Sequence, residues 1–219
     1  FLSAGSVYTK THTRNIEILG GLIKSMPATA ILFLIGSVAI CGLPPFNGFI
    51  CEFLVYFGML KGLSINSFFA FTVLIFAIAG LALVGTMAIL CFTKAFSIIF
   101  LGMPRSEAAQ KPECDTGISM ILPMSFLAVL TLVIGLFPQY VFKMLTKPVS
   151  VLADTGIAAA GSGALPLMQT ISFVGLAFVA FVCVLILLKV LFGRKIELHE
   201  TWGCGYNRAN NHMQYTASS

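Results

Sequence analysis

Apolar residues run along this chain in long stretches separated by short polar ones. From Ser25 to Cys51 there is no charged residue. A helix that spans a bilayer needs about 20 consecutive, mainly apolar residues. On that measure Met26–Leu43 is one span and Phe68 to about Phe92 another, with Ile118–Phe142 and Met168–Phe192 following. Phe46–Leu60 is a shorter apolar run interrupted by Glu52. The pattern predicts about five spans, with the stub of a further helix in Phe1–Val7. Backbone polar groups in lipid must be satisfied internally, so spanning segments are helices or strands of a closed barrel. Barrel strands alternate apolar and polar residues. These runs are continuously apolar, so the expected fold is all-α, a polytopic transmembrane helix bundle.

The connections carry the polar residues. Tyr8–Lys24 holds Lys10, His12, Arg14 and Glu17, and Gly102–Gly117 holds Arg105, Glu107, Lys111, Glu113 and Asp115. Lys143–Pro166, rich in Ala, Gly and Ser, reads as an interfacial helix with flexible ends. Two regions result: a transmembrane part over 1–192 and a polar tail over 193–219. Phe1 opens on what reads as the end of an apolar helix, without the basic segment of a signal peptide. The chain is therefore expected to be a C-terminal fragment of a longer membrane protein.

Composition narrows the class. Of 219 residues, 58% are hydrophobic and only 10% are charged, with a mean hydropathy of +0.98. Soluble domains carry roughly 25% charged residues. Eight acids and thirteen bases are too few to cover a soluble domain of this size. A soluble enzyme, a nucleic-acid-binding module and a disordered tail are all excluded by this balance. The net charge of +5 is spread between the apolar runs, as expected of interfacial anchors facing a lipid bilayer. The bases divide almost evenly between alternate connections, so the positive-inside rule sets no orientation.

Glu52 is the charge that breaks the pattern. It follows Gly42-Leu43-Pro44-Pro45-Phe46-Asn47-Gly48. Two prolines remove two backbone donors, and the first pushes Leu43 away from helix. The helix must break near Pro44-Pro45, and Glu52 then lies in the first turns of the helix that follows. Burial favours the neutral acid and a helix N-terminus favours the anion. A carboxyl held between these effects can gain and lose a proton. Ionisable groups inside a membrane usually face a bundle interior or a hydrated path. The competing reading is a surface turn in which Glu52 caps its helix or reaches the headgroups. Lys94 is a secondary candidate for the same path. It sits late in the third apolar run, where its stem can also snorkel to the interface.

No other chemistry is written in the chain. Cys41, Cys51, Cys91, Cys114, Cys183 and Cys204 make no C-x-x-C pair and no iron–sulfur or zinc spacing. His199-Glu200 with Cys204 carries little weight as a metal site. No phosphate-binding glycine loop or G-x-S-x-G is present. The reading therefore names no catalytic residue, metal or cofactor.

Several of these motifs resemble a known family. Phe1-Leu2-Ser3-Ala4-Gly5-Ser6-Val7, Thr13-Arg14-Asn15-Ile16, Gly20-Gly21-Leu22, Lys24 and Met26-Pro27 resemble the antiporter-like proton-channel subunits. These occur in respiratory complex I, Mrp-type cation/proton antiporters and group 4 membrane-bound hydrogenases. Gly42-Leu43-Pro44-Pro45 and Gly48-Phe49-Ile50-Cys51-Glu52-Phe53 look like that family's broken helix, with Glu52 at the position of its essential Lys or Glu. Thr201-Trp202-Gly203-Cys204-Gly205-Tyr206 and Met213-Gln214-Tyr215-Thr216-Ala217 resemble the hydrogenase branch, of the hydrogenase-4 and formate hydrogenlyase type. The resemblance implies two inverted repeats, the first of them upstream, and a distal half-channel in this chain. It also implies a cytoplasmic 102–117 loop and tail, and a location in the inner (plasma) membrane.

By that resemblance the expected function is proton conduction in a membrane subunit of a hydrogenase complex, without a redox site of its own. Other membrane and peripheral subunits would be its partners. The alternatives are a non-conducting scaffold, or one subunit of either an Mrp-type sodium/proton antiporter or complex I. Glu52, Lys94 and the break residues Gly42, Pro44, Pro45 and Gly48 are the candidate functional positions.

Overall fold

A computed structural model describes residues 1–64, 67–110, 114–152, 164–193, 214–216 and 218. Every regular element among the described residues is helical, and none of them is a strand. The helices are α1 (Leu2–Thr11), α2 (Pro27–Ile40), α3 (Asn47–Gly62), α4 (Phe68–Phe100), α5 (Glu107–Gln110), α6 (Ile118–Leu136), α7 (Pro138–Leu152) and α8 (Ala164–Phe192). A 3-10 turn covers Ile16–Ile18. The tail motif Thr201–Tyr206 lies outside the described residues.

The helices follow the apolar runs, but among the described residues three rather than five are long and apolar enough to span, and the limits of the runs change. By length and composition α4, α6 and α8 can cross a membrane, while Pro27–Ile40 is a shorter apolar helix. The fourth span ends at Leu136 rather than Phe142. Proline disfavours helix in the residue before it and fits the first helical position. Phe137 therefore leaves the helix and Pro138 starts α7, which takes in Lys143. The third span extends to Phe100, so Lys94 is inside α4. The fifth begins earlier, at Ala164.

α4 has 33 residues, or about 50 Å at 1.5 Å per residue. The hydrocarbon core of a bilayer is about 30 Å thick. Part of α4 must therefore extend beyond hydrocarbon or tilt. None of its most apolar window is buried in protein, and Phe76, Leu83, Val84 and Leu90 are 63% to 73% exposed. Burying one large apolar side chain is worth about 1.5–3 kcal/mol. A helix apolar on all sides and this exposed needs lipid or further apolar protein around it.

The chain forms two compact units. One contains residues 1–35, 90–126 and 185–219. Its core joins Val7, Leu19, Leu22, Ala30, Ile99, Phe100 and Ala109, edged by Phe33 and Phe96. The C-terminal carbonyls of α4 have no partner within the helix. Here the Gly21, Leu22 and Ile23 amides donate to the Leu101, Ile99 and Phe100 carbonyls. Arg105 Nη1 adds bonds to the Ile98 and Leu19 carbonyls, at 3.1 and 2.6 Å. The second unit contains residues 36–89 and 127–184. In it the Ser172 hydroxyl donates to the Leu136 carbonyl at the end of α6.

The start of α2 is capped from far along the chain. Pro27 takes the first helical position, and the residue before it, Met26, has no side-chain acceptor for an amide. Asp115 supplies one, accepting the Ala28 and Thr29 amides at 2.7 and 3.1 Å and the Thr29 hydroxyl. Partial burial pushes the Asp115 carboxyl up. Bonds from the Thr29 hydroxyl and from the Thr29, Thr116 and Ala28 amides outweigh it and hold the carboxyl below its usual value of 3.8. The stabilisation is complete above the unfolded value and is lost as pH falls through the lower folded one. Replacing a capping Asp by Ala costs about 1 kcal/mol. Asp115→Ala is expected to lower the thermal midpoint of the detergent-solubilised protein at neutral pH. The difference from wild type should shrink below about pH 4. Equal midpoints at neutral pH would remove this role.

Candidate functional site

The candidate site lies where α2 stops and α3 starts. α2 ends in a Schellman motif. The Leu43 amide donates to the Val38 carbonyl at 3.3 Å, and the Gly42 amide to the Ala39 carbonyl at 3.3 Å. That closure places Gly42 at φ +65°, a left-handed conformation that costs a residue with a Cβ about 1–2 kcal/mol. Leu43, Pro44, Pro45 and Phe46 cross between the helices, and the Phe46 amide donates to the Leu43 carbonyl at 3.2 Å. α3 then begins at Asn47, with Phe46 as its cap.

The break brings Glu52 back to Gly42. A Cβ built on Gly42 would lie 2.5 Å from Glu52 Oε2 and 2.8 Å from Oε1. The carboxylate thus fills the space that a side chain at position 42 would take. Glu52 itself is half-buried, in the second turn of α3. Gly48 serves a different need. A Cβ there would run into the Ala39 carbonyl, so only glycine lets the first turn of α3 approach the end of α2 so closely. Gly135 of α6 lies equally close to the Pro45 carbonyl.

A cavity of about 230 Å³ opens beside the break. Pro44, Pro45, Phe49 and Ile50 line it together with Gly135, Ile171 and Val174. Its wall is almost wholly apolar and Glu52 is not part of it, so it offers no proton relay.

Lys94 belongs to the other compact unit. It sits near the C-terminal end of α4, half-buried, with its ammonium 5.6 Å from the centre of the Tyr215 ring. The structure therefore joins Glu52 with Gly42 and Gly48, and joins Lys94 with the tail. Asp115, Arg105 and Tyr215 were not among the sequence candidates. Each acts through a partner distant in sequence, and none lies in a motif that points to that partner. Among the described residues, no three His, Cys, Asp or Glu side chains converge as a metal site would require.

Residues 1–77, which include the break and Glu52, match the family NADH:quinone oxidoreductase/Mrp antiporter, TM. The resemblance carried by the break and its flanking motifs is borne out. The chain is 30% identical over 213 residues to formate hydrogenlyase subunit 3 of Escherichia coli (strain K12), covering 94% of this chain and 33% of that protein. It is 32% identical over 163 residues to hydrogenase-4 component B of the same strain, covering 74% and 24%. It is also 32% identical over 150 residues to an Na(+)/H(+) antiporter subunit of Alkalihalophilus pseudofirmus, covering 68% and 18%. The chain thus spans about a third of the length of the first relative and less of the others. Among the described residues three helices are long and apolar enough to span, and the chain is a membrane protein.

The two glycines should respond differently to substitution. Gly48→Ala forces a methyl into backbone and is expected to cut the amount of folded protein in the membrane severalfold. Gly42→Ala meets a side chain that can swing away, at the cost of about 1–2 kcal/mol for its left-handed backbone. It should accumulate better than Gly48→Ala. Quantitative immunoblots of membranes test this order, and a reversed order would contradict the packing described.

Proposed function

We propose that this chain is the distal part of a proton-conducting membrane subunit in a hydrogenase complex of the formate hydrogenlyase type. In this reading Glu52 takes up and releases the proton. The observation that carries it is the placement of a carboxylate against Gly42, at the break between two apolar helices, within the family-matched segment. A charge there is costly unless it faces protein or a hydrated path. Backbone groups freed at Pro44 and Pro45 would hold ordered water beside it.

Proton movement then needs no redox group in this chain. A change of charge or shape in a neighbouring subunit would alter the balance between protonated and ionised Glu52, and the proton would move along hydrated polar groups. Lys94 is the second carrier in this proposal. The partners are the other membrane and peripheral subunits of the complex, the location is the inner (plasma) membrane, and the chain crosses it several times. The loop at 102–117 and the polar region 193–219 would face the cytoplasm.

A role within a sodium/proton antiporter is the second reading, favoured by the similarity to antiporter subunits. Those alignments cover 68% of the chain, whereas that with formate hydrogenlyase subunit 3 covers 94%. The wider coverage favours the hydrogenase branch.

Glu52→Gln keeps the shape and removes the titratable proton. In membrane vesicles containing the assembled complex it is expected to reduce proton translocation at least tenfold without loss of assembly, and Glu52→Asp should retain part of it. An assembled Glu52→Gln complex that pumps normally would overturn the role of Glu52. Translocation that depends on sodium would favour the antiporter reading.

A further inference from the structure

Residues 214, 215 and 218 lie beside the C-terminal end of α4 and its neighbouring loops, and make four contacts there. The Met103 amide donates to the Gln214 side-chain oxygen at 2.8 Å. Arg105 Nη2 donates to the Tyr215 carbonyl at 3.0 Å, while Nη1 of the same guanidinium holds the Ile98 and Leu19 carbonyls. The Ser218 hydroxyl donates to the Glu17 carboxylate at 2.7 Å. The Lys94 ammonium stands 5.6 Å from the centre of the Tyr215 ring. Gly102, at φ +77°, leaves room for the Gln214 side chain, which lies where a Cβ at 102 would be. A cavity of about 240 Å³ is bounded by Ser97, Ile98, Leu101, Gly102 and Arg105 on one side and by Gln214 and Tyr215 on the other.

These contacts divide into two groups. The bonds of Gln214, Tyr215 and Ser218 go to Met103, Arg105 and Glu17, and they fix the backbone at Tyr215. The aromatic ring is then delivered to one cation, Lys94. A lysine stem has four rotatable carbons and its ammonium is normally free to follow solvent. A ring face attracts an ammonium through its quadrupole and limits that freedom.

We infer that Tyr215 is a positioning residue for Lys94, holding the ammonium at the end of α4 and limiting its access to solvent. This inference deepens the proposed function, because it assigns a control element to the second proton carrier. Arg105 is the clamp that makes the placement possible, since it ties Tyr215 to the same helix that carries Lys94.

The test uses membrane vesicles containing the full-length chain in its complex, and a membrane-impermeant acylating reagent applied on the side where the 102–117 loop is exposed. Lys94 acylation is measured by mass spectrometry relative to Lys24, an exposed lysine of the same unit next to Ile23, which bonds the end of α4. Tyr215→Leu is expected to raise the Lys94 to Lys24 ratio about two- to fivefold, the equilibrium factor of an exposed cation–π contact. Tyr215→Phe should stay at the wild-type ratio, and Tyr215→Trp, whose ring attracts cations best, should lie at or below it. An unchanged ratio in Tyr215→Leu, or a rise as large in Tyr215→Phe, would overturn the inference. If Tyr215→Leu fails to assemble, the Phe and Trp variants still decide it: a rise in both overturns it. Proton translocation measured on the same vesicles is a separate readout. Labelling that changes while translocation does not supports the positioning role and removes Lys94 from the proton path.

Discussion

Between Ile40 and Asn47 the backbone leaves one apolar helix and enters another, so each polar group freed from the helix has to find a partner nearby. The arrangement of the site follows from that constraint. The amides of Gly42 and Leu43 turn back to the Ala39 and Val38 carbonyls. That closure forces Gly42 left-handed, and the missing side chain leaves space that the Glu52 carboxylate fills. Gly48 and Gly135 lack side chains for a related reason, since each lies against a carbonyl of the α2 end or of the break.

The same requirement governs the other compact unit by different means. The last carbonyls of α4 cannot be satisfied within the helix. Three successive amides of the Gly21–Ile23 loop and the Arg105 guanidinium meet them. Asp115 supplies the opposite service for the first amides of α2. Polar residues of the connections thus close helix ends, and the apolar faces are left for lipid. A loop that would otherwise read as a solvated link becomes a structural part, and through Arg105 it also fixes the position of Tyr215 beside Lys94.

The apolar runs were legible because a spanning helix needs length and little else, and five of the helices grow from them. Their limits were less legible. Phe137-Pro138 ended the fourth run early because of a local steric rule about proline, while hydropathy alone carried it on to Phe142. α4 extended to Phe100 because loop amides and Arg105 receive its last carbonyls. The break could be read from Pro44-Pro45, since two missing donors stop a helix in any context. The packing of Glu52 on Gly42 could not, because it depends on how far the chain turns back after Pro45. Asp115, Arg105 and Tyr215 were not legible as parts of a site, since their partners lie 7 to 121 residues away (215 − 94 for Tyr215 and Lys94).

The sequence by itself determined that this is an α-helical membrane chain, where its helix must break, and that one carboxylate follows the break. Those properties depend on composition, on the number of consecutive apolar residues and on the covalent geometry of proline, all of which are local. The tertiary structure decided which space that carboxylate occupies, which loops close the helix ends, and that a tyrosine from the tail faces Lys94. Those depend on groups brought together across the fold, and the backbone's need for hydrogen-bond partners at each helix end selects among them.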